Sequence, residues 1–205
     1  MAGIRRQADV PIALSATAVV LGLTATIALS ARINGTNDGE FINGTQSGDI
    51  IRAFGGPDSI DAENGRDLVF GGLGNDKKVL GNDGRDELRG QRGHERLIHG
   101  GRDDDRLFGG RGRDRRGGHP VIVPRGPGPA LLGGPGSDQL FGGKGADGLD
   151  GGAGRDWLRG NQGRDWLFDR SRFTADVFRG GRGRDRCYPF PSDNVRGCEI
   201  VKVLR

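Results

Sequence analysis

The chain has 205 residues, of which 41 are glycine and only 33% apolar, so few large side chains are available and a conventional layered core is not expected. High glycine with 28% charged residues would ordinarily read as disorder, but disorder carries no strict spacing, and the spacing here is strict. The formal net charge is +4, with arginines spread through the chain rather than clustered, and with one tyrosine and two tryptophans; nucleic-acid binding is not expected, and solvated arginine on the rims of a repeat array is the simpler reading.

Taken in chain order, the first 31 residues differ from all the rest. Arg5 and Arg6 form a positive start, Ile12 to Leu29 is uncharged and mostly apolar, and Ala28 and Ser30 place small residues before Ala31. This is the layout of a cleaved secretory signal peptide over residues 1–31. A retained anchor is the competing reading, although the Ala, Thr and Ser content makes the run a weak span. The mature chain is therefore expected outside the cell, with no membrane contact after cleavage.

From residue 32 an acidic residue recurs at intervals of nine, occasionally ten or eleven. Asp49, Asp58, Asp67, Asp76, Asp86, Glu95, Asp105 and Asp114 form a first run, which Glu40 extends one step towards the N-terminus. Gly71-Gly72-Leu73-Gly74-Asn75-Asp76 shows the surrounding motif, and two positions after most of these acids comes an apolar residue: Ile51, Ile60, Val69, Leu88, Leu97 and Leu107. The run predicts a first roll segment over 32–116. His94-Glu95-Arg96-Leu97-Ile98-His99 imitates a zinc-protease motif, but the second histidine falls one residue late, so the i, i+4 geometry is lost.

Arg116 occupies a place where an inward apolar residue belongs, and residues 117–132 abandon the motif for four prolines. Proline cannot sustain a strand ladder, so this stretch reads as a linker between two rolls or an insertion in one. The pattern resumes with Asp138, Asp147, Asp156, Asp165, Asp176 and Asp185, giving a second segment over 133–187 with Leu140, Leu149, Leu158, Leu167 and Phe178 inward. Cys187 and Cys198 are the only cysteines. A close pair in an exported chain reads as a disulfide, pinning a cap over 188–205.

The unit G-G-x-G-x-D-x-U-x, with U apolar, resembles the hemolysin-type, or RTX, calcium-binding repeat. The resemblance implies an all-β, right-handed parallel β-roll, a β-helix solenoid in which several Ca2+ ions sit between stacked turns. It assigns as ligands Asp49, Asp58, Asp67, Asp76, Asp86, Asp105, Asp114, Asp138, Asp147, Asp156, Asp165, Asp176 and Asp185, together with carbonyls of the glycine-rich turns. The surest pairs are Asp49/Asp67, Asp58/Asp76, Asp138/Asp156 and Asp147/Asp165, whose 18-residue offsets contain no slip. Asp67/Asp86, Asp86/Asp105, Asp156/Asp176 and Asp165/Asp185 carry extra residues, and Glu95 is expected to weaken its site.

The spacing has its own physical logic. Three residues make a strand with one inward side chain, six make the turn, and two nonapeptides complete a coil of 18. Stacked carboxylates about 5 Å apart repel by about 3 kcal/mol at an effective dielectric near 20, which a hard, many-oxygen cation such as calcium relieves. No nucleophile elbow is present, and the repeats begin directly behind the leader, so no enzyme is expected. The reading is a secreted calcium-binding repeat protein that folds on meeting extracellular calcium. Alternatives are adhesion to acidic cell-surface polymers, or a remnant of a toxin or exoenzyme. The sequence leaves the oligomeric state open.

Overall fold

A computed structural model describes residues 30–116, 128–168, 171 and 173–204. Nearly all of the leader and residues 117–127 of the proline-rich stretch lie outside the described residues.

Among the described residues there are twenty strands and no helix. Alternate strands go to alternate sheets, giving two nine-stranded sheets that face each other, plus a two-stranded ribbon. One sheet starts at Arg32–Asn34 and ends at Asn194–Arg196; the other starts at Phe41–Thr45 and ends at Ile200–Val201. Pairing within both large sheets is parallel. The chain is therefore a β-solenoid, the β-roll expected of the repeat.

The core is a double file of inward side chains, one per strand. Ile33, Ile51, Val69, Leu88, Leu107, Leu140, Leu158, Phe178 and Val195 are successive partners in the first sheet. Ile42, Ile60, Val79, Ile98, Leu131, Leu149, Leu167 and Cys187 face them from the second. Most are fully buried. Glycines in the turns run at positive φ, as at Gly72 (φ 102) and Gly74 (φ 139), where a Cβ would lie under 3.0 Å from backbone of the coil below. A residue without a side chain meets this approach most easily, although Glu63, Asn82, Gln91 and Asn161 adopt the same left-handed backbone at the place Gly72 occupies.

Two local expectations are corrected. Leu97 is only half-buried, and the inward place belongs to its neighbour Ile98, between Val79 and Leu131. Val79 itself stands three residues after Asp76 rather than two. The extra residue of these longer coils is thus taken up between acid and strand, and because strand side chains alternate, one added residue moves the inward place by one.

The second concerns the proline-rich stretch. Leu107 pairs with Leu140, and Ile98 with Leu131, across 33 residues, so both sheets run through without a break. The segments 32–116 and 133–187 form one continuous roll, of the two arrangements weighed above the one with an insertion. Arg115 and Arg116 leave the sheet to pair antiparallel with Pro129 and Gly128. Leu131, inside the expected linker, fills the rung that Arg116 was expected to spoil.

Candidate metal centre

Each motif aspartate sits at the corner where a turn enters a strand, and stacking of the coils sets these corners in two ladders. In the first, Ala31, Asp49, Asp67, Asp86, Asp105, Asp138, Asp156 and Asp176 each donate a backbone N–H to Oδ1 of the next aspartate, at 2.6–3.0 Å, ending on Asp193. In the second, Glu40, Asp58, Glu95, Asp114, Asp147, Asp165 and Asp185 do the same at 2.6–3.1 Å, ending on Glu199. The offset makes no difference: 18-, 19-, 20- and 33-residue steps give the same bond. Sequence spacing ranks the slipped pairs lower and does not pair Asp105 with Asp138 or Asp114 with Asp147 across the insertion. The signal was there in the strict alternation of the two ladders, which the insertion leaves intact.

All thirteen aspartates singled out from the sequence are no more than 2% exposed. One oxygen of each is used by the ladder. The second, Oδ2, is buried with no hydrogen-bond partner in Asp58, Asp67, Asp76, Asp86, Asp105, Asp114, Asp138, Asp156 and Asp185. A buried carboxylate oxygen without a donor is expensive, and a row of them, all on ladder residues, points to a missing positive charge. Glu95 breaks the pattern: neither of its oxygens has a donor, and the bond from Asp76 N–H is missing below it.

In most repeats the space around Oδ2 is kept open by the first glycine of the motif, while Ala53 and Ala62 hold that place for Asp58 and Asp67. A Cβ on Gly81 would lie under 3.0 Å from both Asp86 Oδ2 and the Gly100 carbonyl oxygen. The same carboxylate–carbonyl convergence, from two successive coils, recurs at Gly109 with Asp114 and Gly142, at Gly133 with Asp138 and Gly151, and at Gly160 with Asp165 and Gly180. No three His, Cys, Asp or Glu side chains come together as a metal cluster among the described residues. A cation here would therefore draw on carboxylate and backbone oxygens, the donor set of a hard ion that accepts irregular coordination. The residues fit calcium.

Burial pushes the carboxyl groups up. Asp67 and Asp76 rise to about 6, Asp86, Asp138 and Asp156 to about 7, and Asp105 to about 8, with neighbouring carboxylates adding to the effect of desolvation. Asp58 and Asp185 rise for the same reason. Glu95 is raised strongly by burial and then by facing Asp114. Ionising these ladders together near neutral pH is therefore unfavourable unless a cation enters them.

The imitation zinc motif has other work. His94 Nδ1 accepts the Arg113 N–H at 2.6 Å, and the His94 N–H donates to Asn75 Oδ1 at 2.8 Å, so the side chain belongs to the turn stack. At the far end, Cys187 and Cys198 form a disulfide with Cα atoms 6.0 Å apart. Cys187 occupies the last buried inward place, pairing with Leu167 and Val201.

The family model for the RTX calcium-binding nonapeptide repeat matches the chain four times, at residues 34–67, 43–77, 80–115 and 132–168, more than half its length. No curated protein and no solved structure matches it.

Proposed function

The chain belongs to the RTX calcium-binding nonapeptide repeat family, and on that premise we propose that it is a secreted, non-catalytic calcium module whose roll forms when Ca2+ enters the two aspartate ladders. The observation that carries this is the row of buried Oδ2 atoms without donors, with a glycine carbonyl of the next coil converging on the same space at Asp76, Asp86, Asp114, Asp138 and Asp185. The ligands would be Asp49, Asp67, Asp86, Asp105, Asp138, Asp156 and Asp176 on one side and Asp58, Asp76, Asp114, Asp147, Asp165 and Asp185 on the other. Calcium supplies the charge that lets these carboxylates ionise together; the chain supplies position, through N–H donors that fix Oδ1 and glycines that leave room beside Oδ2. Export is supported by the leader-like start, with Arg5 and Arg6 before the apolar run, and it would bring the chain to compartments where calcium is abundant. Equilibrium dialysis against labelled calcium tests the reading: several ions per chain are expected, and one or none would overturn it.

A further inference from the structure

We propose that the outer face of the sheet beginning at Arg32–Asn34 is a binding groove for a linear uronic-acid polysaccharide, entered at its N-terminal end. A groove of about 690 Å3 lies there, within the usual range for ligand sites. Its cations are Arg52, Arg92 and Arg111, and no acidic residue lines it. None of the three has a carboxylate partner among the described residues. Arg92 and Arg111 are paired on adjacent strands, which sets them about 4.8 Å apart along the roll. The row continues beyond the groove through Lys144 and, past Gln162, to Arg182, so a long anion meets positive charge for some 20 Å.

The floor gives the ligand its class. Phe54 stands in the second place of its motif at φ 68, a place held elsewhere by glycine, as at Gly72 (φ 102) and Gly110 (φ 106), or by a polar residue, as at Glu63 (φ 70), Asn82 (φ 76), Gln91 (φ 76) and Asn161 (φ 76). A bulky residue in this conformation is strained, and packing does not explain it, because Phe54 is 47% exposed. Leu73, on the next coil, is 56% exposed beside it. Uncovered apolar side chains, the amides of Asn37 and Gln91 and three arginines around one cleft match a sugar chain with apolar ring faces, hydroxyls and carboxylates. A single-stranded nucleic acid fits worse, because it needs successive open aromatic faces on which to stack, and of the aromatics lining the groove Phe54 alone is exposed. Phe70 has Arg52 and Arg89 over its ring at 5.4 and 5.7 Å, and Phe108 and Phe141 are stacked on each other at 4.9 Å.

The inference rests on a formed roll, so binding and circular dichroism are read in one cuvette, with calcium and with chelator. The probe is a fluorescent hyaluronate oligosaccharide followed by anisotropy; a neutral dextran and a single-stranded oligonucleotide of similar length are the comparisons. Hyaluronate is expected to bind, and to weaken at least tenfold when salt rises to several hundred millimolar. Arg92→Gln is expected to lower affinity about tenfold. Phe54→Gly, which relieves the strain and keeps the fold, is expected to lower it several-fold. Arg155→Gln, the same charge change at an exposed turn residue away from the groove, is expected to leave it unchanged. A β-rich protein that fails to bind, that responds to Arg155→Gln as to Arg92→Gln, or that takes the dextran or oligonucleotide as tightly would overturn the groove. A roll that is β-rich and binds in chelator as well as in calcium keeps the groove and sinks the calcium reading instead.

Discussion

Replacing Asp156 by Asn separates the two demands on a ladder carboxylate. Asp156 accepts the Asp138 N–H on Oδ1 at 2.9 Å, donates its own N–H to Asp176 at 2.9 Å, and buries Oδ2 beside Gly151. Asn keeps the accepting oxygen and nearly the same volume, and removes the charge. In the metal-free fold burial raises this carboxyl from 3.8 to about 7. Because the folded-state pKa lies above the unfolded one, its contribution is fully present below about pH 4 and is lost as pH rises through about 7. At pH 8 the ionised group opposes the metal-free fold by at most about 4 kcal/mol, at 1.36 kcal/mol per pKa unit, and Asn removes that penalty. With calcium the sign reverses: a charge is lost from the ladder between Asp138 and Asp176, and affinity follows ligand charge. The assay is far-ultraviolet circular dichroism in two titrations. In chelator, folding on acidification is expected to begin at higher pH for Asp156→Asn than for the parent. At pH 7.5 the calcium midpoint is expected to rise about tenfold. If the variant loses ground in both titrations, the carboxylates are hydrogen-bonding caps and the metal reasoning fails.

Folding by acidification in chelator should take up protons, because Asp86, Asp105, Asp138 and Asp156 rise from 3.8 to about 7–8 in the metal-free roll and a raised folded-state pKa couples folding to proton binding; potentiometric titration beside circular dichroism measures it, and a transition with no proton uptake would contradict it. Glu95→Asp should restore the missing bond from Asp76 and lower the calcium midpoint several-fold, whereas an unchanged midpoint would mean that this rung takes no ion. Replacing residues 117–127 by a two-glycine link between Arg116 and Gly128, which already pair, should leave the midpoint within about twofold, since both sheets pair directly across this step; loss of calcium-induced folding would show that the insertion is structural.

Much of this architecture is legible in the sequence because one residue type marks each corner. The aspartates locate turns, the apolar residue after them locates strands, and every aspartate singled out lies in a ladder. Register within longer coils was less legible. Leu97 and Ile98 are equally apolar neighbours, and only the stacking of Val79 below and Leu131 above decides between them. Continuity across the insertion was hidden for a similar reason: Leu107 and Leu140 belong together by sheet pairing, which is not a property of the intervening prolines. Asp193-Asn194-Val195 reads in the sequence as one degenerate further turn, and Asp193 ends the first ladder there, whereas Glu199 escapes the motif because the last coil of its sheet shortens to 14 residues. The outer face carries no repeat signal at all, since position-specific choices such as Phe54 answer to solvent or a ligand rather than to the fold.

The central claim is that the cation makes the roll. Its most direct test is a calcium titration of the mature chain from chelator at pH 7.5, followed by circular dichroism, with magnesium in parallel. The account predicts little β-structure in chelator, a cooperative gain with calcium, and no comparable gain at equal magnesium, because magnesium demands a tighter octahedron and keeps its water; a spectrum already β-rich in chelator and unmoved by calcium would contradict it.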